Sequence, residues 1–136
     1  MQMVDKTKEE ELRMDKCLYH YWDFILQVRN IGSEGFFTQD VILPLDHHEF
    51  MLSNYATYRV CVRGDQPIGF IGHVNGDIRV ATHPAYRGRG VAKYMLNEFM
   101  KEFPNTVAKV KAGNEASLSL FKSCGFKVIY YGLEKC

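Results

Sequence analysis

No stretch of this chain stays apolar for the ~18 or more residues that a membrane span requires, so no transmembrane segment is expected. Its opening residues, MQMVDKTKEEEL, are too charged to hold the apolar centre of a secretion signal. Metal-ligand spacing is missing as well: Cys17, Cys61, Cys124 and Cys136 form no CxxC pair. Without an export signal these thiols read as reduced, which points to the cytoplasm. Nor is there an excess of either charge, because 17 basic and 16 acidic residues leave a formal net charge of +1. A nucleic-acid surface usually brings a basic excess, so no such partner is expected, and neither is a membrane surface. Internal repeats and low-complexity linkers are absent too. What remains is 136 residues, 46% hydrophobic and 24% charged, which suits one globular domain over residues 1–136 with a frayed end at 1–8.

The most informative stretch runs from Asp77 to Phe103, DIRVATHPAYRGRGVAKYMLNEFMKEF. Ile78, Val80 and Thr82 alternate with Arg79 and Ala81, the period of a strand. His83-Pro84 ends it, since proline has no N–H to donate and biases the preceding residue toward extended backbone. Val91, Met95, Phe99 and Phe103 then recur every four residues, which is one face of a helix. Between strand and helix lies Tyr86-Arg87-Gly88-Arg89-Gly90. Such a loop builds an anion site. Its glycines let successive N–H groups turn toward one point, and the helix start adds unpaired donors and a positive dipole end. The loop lacks GxxxxGK[ST], and Gly88-Arg89-Gly90 lacks the third glycine and the downstream acid of a dinucleotide site.

The rest of the chain surrounds this unit with alternating elements. Residues 10–15 read as a first strand, and 17–29 as an amphipathic helix carrying Leu18, Tyr21, Trp22, Ile25 and Val28, with Gly32 as its left-handed cap. Phe36 and Phe37 fall in a loop, and Pro44 opens a helix over 45–52. Residues 58–62 and 67–74 form a hairpin, and Asn75-Gly76 makes the next tight turn. Residues 106–110 read as a buried strand. Asn114 caps a helix that Cys124-Gly125 closes, and 126–131 is a final strand. The order β-α-α-β-β-β-α-β-α-β describes a mixed sheet with helices on its faces.

Three segments of this order carry a family pattern. Arg87 to Ala92 reads [Q/R]-x-x-G-x-[G/A], and it is preceded by V-x-x-x-P-x-[YH] from Val80 to Tyr86. Asn114 to Phe121, followed by Gly125-Phe126, reads N-x-x-[AS]-x-x-L-[YF]…GF. Together, over residues 55–131, they resemble the GNAT superfamily of N-acetyltransferases. Arg29-Asn30, Ile42, His47 and Phe50 are similar to a branch that acetylates amino-sugar nucleotides.

The resemblance implies an α/β GNAT fold, with a mixed, mostly antiparallel sheet of about six or seven strands flanked by about four helices. It implies an enzyme that moves acetyl from acetyl-CoA to a primary amine, on a small molecule or amino sugar, by direct attack. The alternatives are a protein or peptide acceptor, or an acyl-CoA-binding regulatory module without turnover. Backbone N–H groups of Arg87, Gly88, Arg89, Gly90, Val91 and Ala92 would hold the CoA pyrophosphate. Val80, Ala81 and Thr82 would pair with the pantetheine arm, and Asn114 and Phe121 would contact the cofactor. Many relatives have tyrosine at the position of Phe121, where it protonates the leaving thiolate; phenylalanine cannot. Tyr130, with Tyr131 and Tyr86, is a candidate acid. Asp77 and His83 are candidate bases, and Phe37, His47 and His73 candidate acceptor contacts. Two copies are expected to pair through residues 126–131.

Overall fold

The computed structural model describes residues 11–33 and 41–136, so the frayed end expected at 1–8 and the places expected for Glu10, Phe36 and Phe37 lie outside the described residues. Four strands, β1 (Leu12–Lys16), β2 (Tyr58–Arg63), β3 (Gln66–Val74) and β4 (Asp77–Thr82), form one antiparallel sheet in that spatial order. Two helices, α1 (Trp22–Ser33) and α2 (Pro44–Asn54), cover one face. The other carries α3 (Val91–Glu102) and α4 (Glu115–Ser123).

Strand alternation divides the apolar residues between these faces. Tyr58, Val60, Val62 and Phe70 join Ile25, Val28 and Met51 beneath α1 and α2. Ile68, Ile71 and Ile78 join Val91, Met95, Leu96 and Phe99 beneath α3. The β2–β3 register shifts between Cys61 and Val62, and since Gly69 pairs with Cys61 but Pro67 with Val62, Ile68 is an extra, bulged residue. Its carbonyl accepts the N–H of His83 at 2.8 Å, which fixes where the chain leaves β4.

The turns follow the expected chemistry. Asn75 (φ 52°) and Gly76 (φ 86°) are both left-handed, as a two-residue hairpin turn requires. α4 opens on Asn114, whose side chain accepts from the Ser117 N–H. It closes on Gly125 (φ 91°) with two bonds, Gly125 N–H to Lys122 and Phe126 N–H to Phe121, and the Phe121 and Phe126 rings pack edge to face at 5.2 Å.

Three expectations change. The first helix begins later, because residues 19–21 form a 3-10 turn and α1 proper starts at Trp22. Gly32 lies within α1 rather than capping it. The side chain of Asn30 accepts from the Ile42 N–H (2.8 Å) and donates to the Ile42 carbonyl (3.1 Å), tying the end of this helix to the start of the next. Finally, the ladder holds four strands among the described residues. Val107 meets β4 through a single parallel bridge to Asp77, after which the two segments part. Residues 126–131 are extended in sequence pattern but join no ladder.

Candidate active site

That parting of the backbone is the first element of the site. At Asp77 the two segments are stitched by Ile78 N–H to Val107 O (2.9 Å) and Val107 N–H to Gly76 O (2.8 Å). Ile78 therefore directs its N–H away from β3. In a strand the polar groups of alternate residues point the same way. Val80 and Thr82 thus turn theirs into the opening, while Arg79 and Ala81 spend theirs on β3. The Thr82 carbonyl accepts from Arg87 Nε at 3.3 Å, but Val80 has no backbone partner on that side among the described residues. The opening offers a free strand edge to an extended chain that can both donate and accept.

The second element lies where β4 ends. A 3-10 turn, Pro84–Tyr86, delivers the chain to Gly88 and Gly90, both at φ 79°. Gly90 is the N-cap of α3 and has no side chain to cap with, and the first turn holds no acidic residue. None of the N–H groups of residues 88–93 finds a backbone acceptor among the described residues. Orphan donors and a dipole end meet there, a fit for a diphosphate, and Arg87 and Arg89 flank them, with Arg87 Nε on the Thr82 carbonyl (3.3 Å) and the Arg89 guanidinium 5.8 Å from the Tyr86 ring centre. A Cβ built on Gly88 or Gly90 would meet nothing within 4 Å, so glycine suits these positions for its positive φ and not for packing against protein.

α3 is held in place beneath this loop. Its Val91, Met95 and Phe99 are buried at 5%, 0% and 1% exposure. At its far end Arg59 grips both oxygens of Glu102 (2.6 and 3.1 Å), which holds that carboxyl below its usual range.

The remaining sequence-derived residues fall in several places. His83 borders the site: its Nδ1 accepts from the Ala85 N–H at 3.1 Å, and its ring lies near Phe24 and Tyr86. With that lone pair occupied, the neutral ring carries its proton on Nε2, so it presents a donor rather than a base. Asp77 sits at the vertex of the opening, with Arg79 at 3.5 Å. Asn114 is at the mouth of α4 with its side-chain oxygen committed to Ser117 and its amide N–H group free to contact a ligand. Phe121 is core, 7% exposed against Phe126. Tyr130 is 65% exposed on a separate groove between residues 108–113 and 126–132.

His73 and His47 are not brought to the opening. His73 packs on Phe103 (5.0 Å) at the opposite end of α3 from the glycine loop, and its Nδ1 accepts from the Gly76 N–H. His47 is buried at 3% exposure between the two helices of the other face. Its Nε2 lies 2.7 Å from the Trp22 carbonyl, which can only accept, and its Nδ1 lies 2.9 Å from Arg29, which can only donate. The imidazole is therefore neutral with its proton on Nε2, and burial, aided by the Arg29 charge, lowers its pKa. Arg29 in turn lies over the Phe50 ring at 4.4 Å. So Arg29, Asn30, Ile42, His47 and Phe50, noted together in the sequence, form one structural clasp. The thiols of Cys17 and Cys61 are pushed up to about 11 and about 12 by burial, which leaves them inert at neutral pH.

The residue that sequence reasoning passed over is Tyr58. Its ring lies flat across Gly72, 1% exposed, between Phe50 and Phe70. The one signal in the sequence was a glycine inside an otherwise apolar strand.

Comparison with known proteins bears on this geometry. No curated protein matches the chain significantly. Among solved structures, a ribosomal-protein-alanine N-acetyltransferase from Brucella melitensis is 19% identical, with 85% of this chain and 84% of that one covered and a TM-score of 0.72. A putative acetyltransferase from Salmonella typhimurium, solved with its cofactor acetyl-CoA, is 17% identical over 88% and 81% of the two chains, with a TM-score of 0.73. Diaminobutyrate acetyltransferase from Paenibacillus lautus, in complex with its substrate and coenzyme A, gives 21%, 84%, 74% and 0.60 in the same order. At these identities the likeness is one of fold. A family model goes further, matching residues 17–126, which include β4, the glycine loop and α4: the chain belongs to the acetyltransferase (GNAT) family.

Proposed function

We propose that this protein transfers acetyl from acetyl-CoA to a primary amine of a small molecule. One observation carries the reading. The free edge of β4 at Val80 leads directly into an uncapped helix start bearing Arg87 and Arg89. An extended amide-containing arm ending in a diphosphate needs those two features in that order. Residues 88–93 would hold the diphosphate through backbone N–H groups, with Arg87 and Arg89 adding charge. The Val80 N–H, fixed in the sheet and aimed into the opening, would donate to the oxygen that gains charge when the amine adds to the acyl carbon.

The proton steps are less furnished. Phe121 offers no hydroxyl and is buried, so the thiol leaves without help from that position. With an ordinary thiol pKa near 8.5, a thiolate is a tolerable leaving group unaided. His83, the residue after β4, would present its Nε2 N–H as a donor. Asp77, at the vertex, would accept the amine's proton directly or through water. Phe121 also favours a second reading, an acyl-CoA-binding module without turnover.

Calorimetric binding of acetyl-CoA and CoA, with ATP as control, tests the donor site on wild type and on Gly90→Glu. Binding of both CoA species that vanishes in the folded variant supports it, and no binding to folded wild type removes it. A panel of amines, amino sugars and peptide N-termini, followed by mass spectrometry of the products, then separates enzyme from module. Acetylated small amines support the proposal, and tight binding with no product favours the module.

A further inference from the structure

One face of β4 is closed by α3, because Ile78 and Val80 lie in the core beneath that helix. The other face bears Asp77, Arg79 and Ala81, since alternate residues of a strand share a face and Ala81 packs under α1 and α2. Asp77 and Arg79 stay open to solvent there, with 22% and 47% of their side chains exposed.

Tyr58 reaches the same place from two strands away. It pairs with Gly72, and Gly72 pairs with Arg79, so the three form one row across β2, β3 and β4. The missing side chain at Gly72 lets the ring lie across β3 in the direction of Arg79. Burial pushes the pKa of the Tyr58 hydroxyl up to about 12, against the pull of Arg29 and Arg79, so both charges act on this oxygen. The hydroxyl makes no hydrogen bond among the described residues. Tyr58 is 1% exposed, yet its oxygen is not sealed: among the described residues, the fully enclosed side-chain atoms without a partner are Trp22 Nε1 and Thr82 Oγ1. Arg79 makes no hydrogen bond among the described residues either, and its ion pair with Asp77, at 3.5 Å, is longer than a good one.

A buried hydroxyl without a partner calls for a ligand that completes it, and the charges say which. Arg29 and Arg79 act on it against Asp77 alone, which leaves an excess of positive charge. Arg29 already spends one nitrogen on His47 and lies over Phe50, so Arg79 is the guanidinium with its donors to give. A hydroxyl and a guanidinium side by side suit the two oxygens of one carboxylate. Asp77 beside them suits an ammonium group.

We propose that the acceptor is an amino acid, its carboxylate held by the Tyr58 hydroxyl and the Arg79 guanidinium and its amine presented beside Asp77 at the edge of β4. This rests on the acetyl-transfer reading above and narrows its acceptor. Arg79 immediately precedes Val80, whose N–H faces the opening, so the amine and the carboxylate are separated by only a few bonds.

The probes are the common α-amino acids, β-alanine and γ-aminobutyrate, each paired with its carboxamide, with phosphoethanolamine as a second kind of anion. Binding is titrated by NMR on the protein loaded with CoA, and acetylation is followed separately with acetyl-CoA. At least one free acid should bind roughly tenfold or more tighter than its carboxamide. Tyr58→Phe removes an oxygen that bonds to nothing among the described residues, and Arg79→Gln removes a half-exposed charge. Both should fold as wild type does and bind CoA unchanged, while the preference for acid over amide falls close to one. Tyr58→Phe should raise KM more than it lowers kcat, and Arg79→Lys should restore part of the preference; a purely structural role would move neither. Equal binding of acids and carboxamides, or no binding of any acid, overturns the proposal. So does phosphoethanolamine binding tighter than every carboxylate, or variants that keep the wild-type preference. Failure of CoA to bind strikes the acetyl-transfer reading instead, and the same titrations without CoA then decide the carboxylate site.

Discussion

Replacing Gly72 with alanine probes the packing that holds the sheet under α1 and α2. A methyl group there would lie 2.3 Å from Cδ1 of Tyr58, 2.4 Å from Cγ and 2.7 Å from Cε1. Carbon atoms rest about 3.5–4.0 Å apart, so all three contacts overlap by roughly 1 Å or more. The ring has little room to retreat: Tyr58 is 1% exposed, with the Phe50 ring edge-on and the Phe70 ring nearly parallel, each 5.9 Å away. Overpacking of this kind costs about 1–3 kcal/mol. Against that stands a gain of about 0.4–1 kcal/mol, because alanine has less unfolded-state freedom to lose. The expected net loss is about 1 kcal/mol, seen as a lower urea midpoint with an unchanged slope.

The clash, not the loss of glycine, should be the cause, and a second substitution separates the two. Tyr58→Ala alone should cost about 3–5 kcal/mol by emptying the site. In that background Gly72→Ala meets no ring and should be neutral or stabilising. The coupling between the two positions should therefore be about 2 kcal/mol or more in favour of the pair. Equal cost for Gly72→Ala in both backgrounds would refute the account. So would a wild-type background in which alanine is tolerated.

Other expectations are independent of this one. Val80→Pro removes the Val80 N–H, which faces the opening, without taking a bond from β3; CoA should still bind, while turnover falls by about 10²–10³, measured by single-turnover acetylation of whichever amine proves to be the acceptor. Asn30→Ala deletes both bonds to Ile42 and should lower stability by about 1–3 kcal/mol, read from urea unfolding. His47 has a folded pKa lowered below its ordinary value near 6.5, so the unfolded chain takes up the proton first as pH falls. Stability from this group is therefore complete above about pH 6.5 and declines below it, by up to ~1.4 kcal/mol per pH unit until the folded group also titrates; His47→Gln should flatten that part of the stability profile.

What could be read in the sequence was whatever depends on neighbours along the chain. The turn at Asn75-Gly76, the cap at Asn114 and the closure at Gly125 are decided within four residues, and each formed as expected. The glycine loop belongs to the same class, since its positive φ angles and empty cap are local facts. Roles that depend on what lies opposite were not legible. His47 looked like an acceptor contact because its helix was expected to form the acceptor wall, yet Trp22 and Arg29, remote in sequence, consume both its nitrogens. Gly72 is an ordinary strand residue until Tyr58 is laid across it. The segments at 106–110 and 126–131 show why pattern alone does not make a strand. Alternation specifies which side chains turn inward, but a ladder needs a paired neighbour, and beyond Val107 neither segment has one among the described residues.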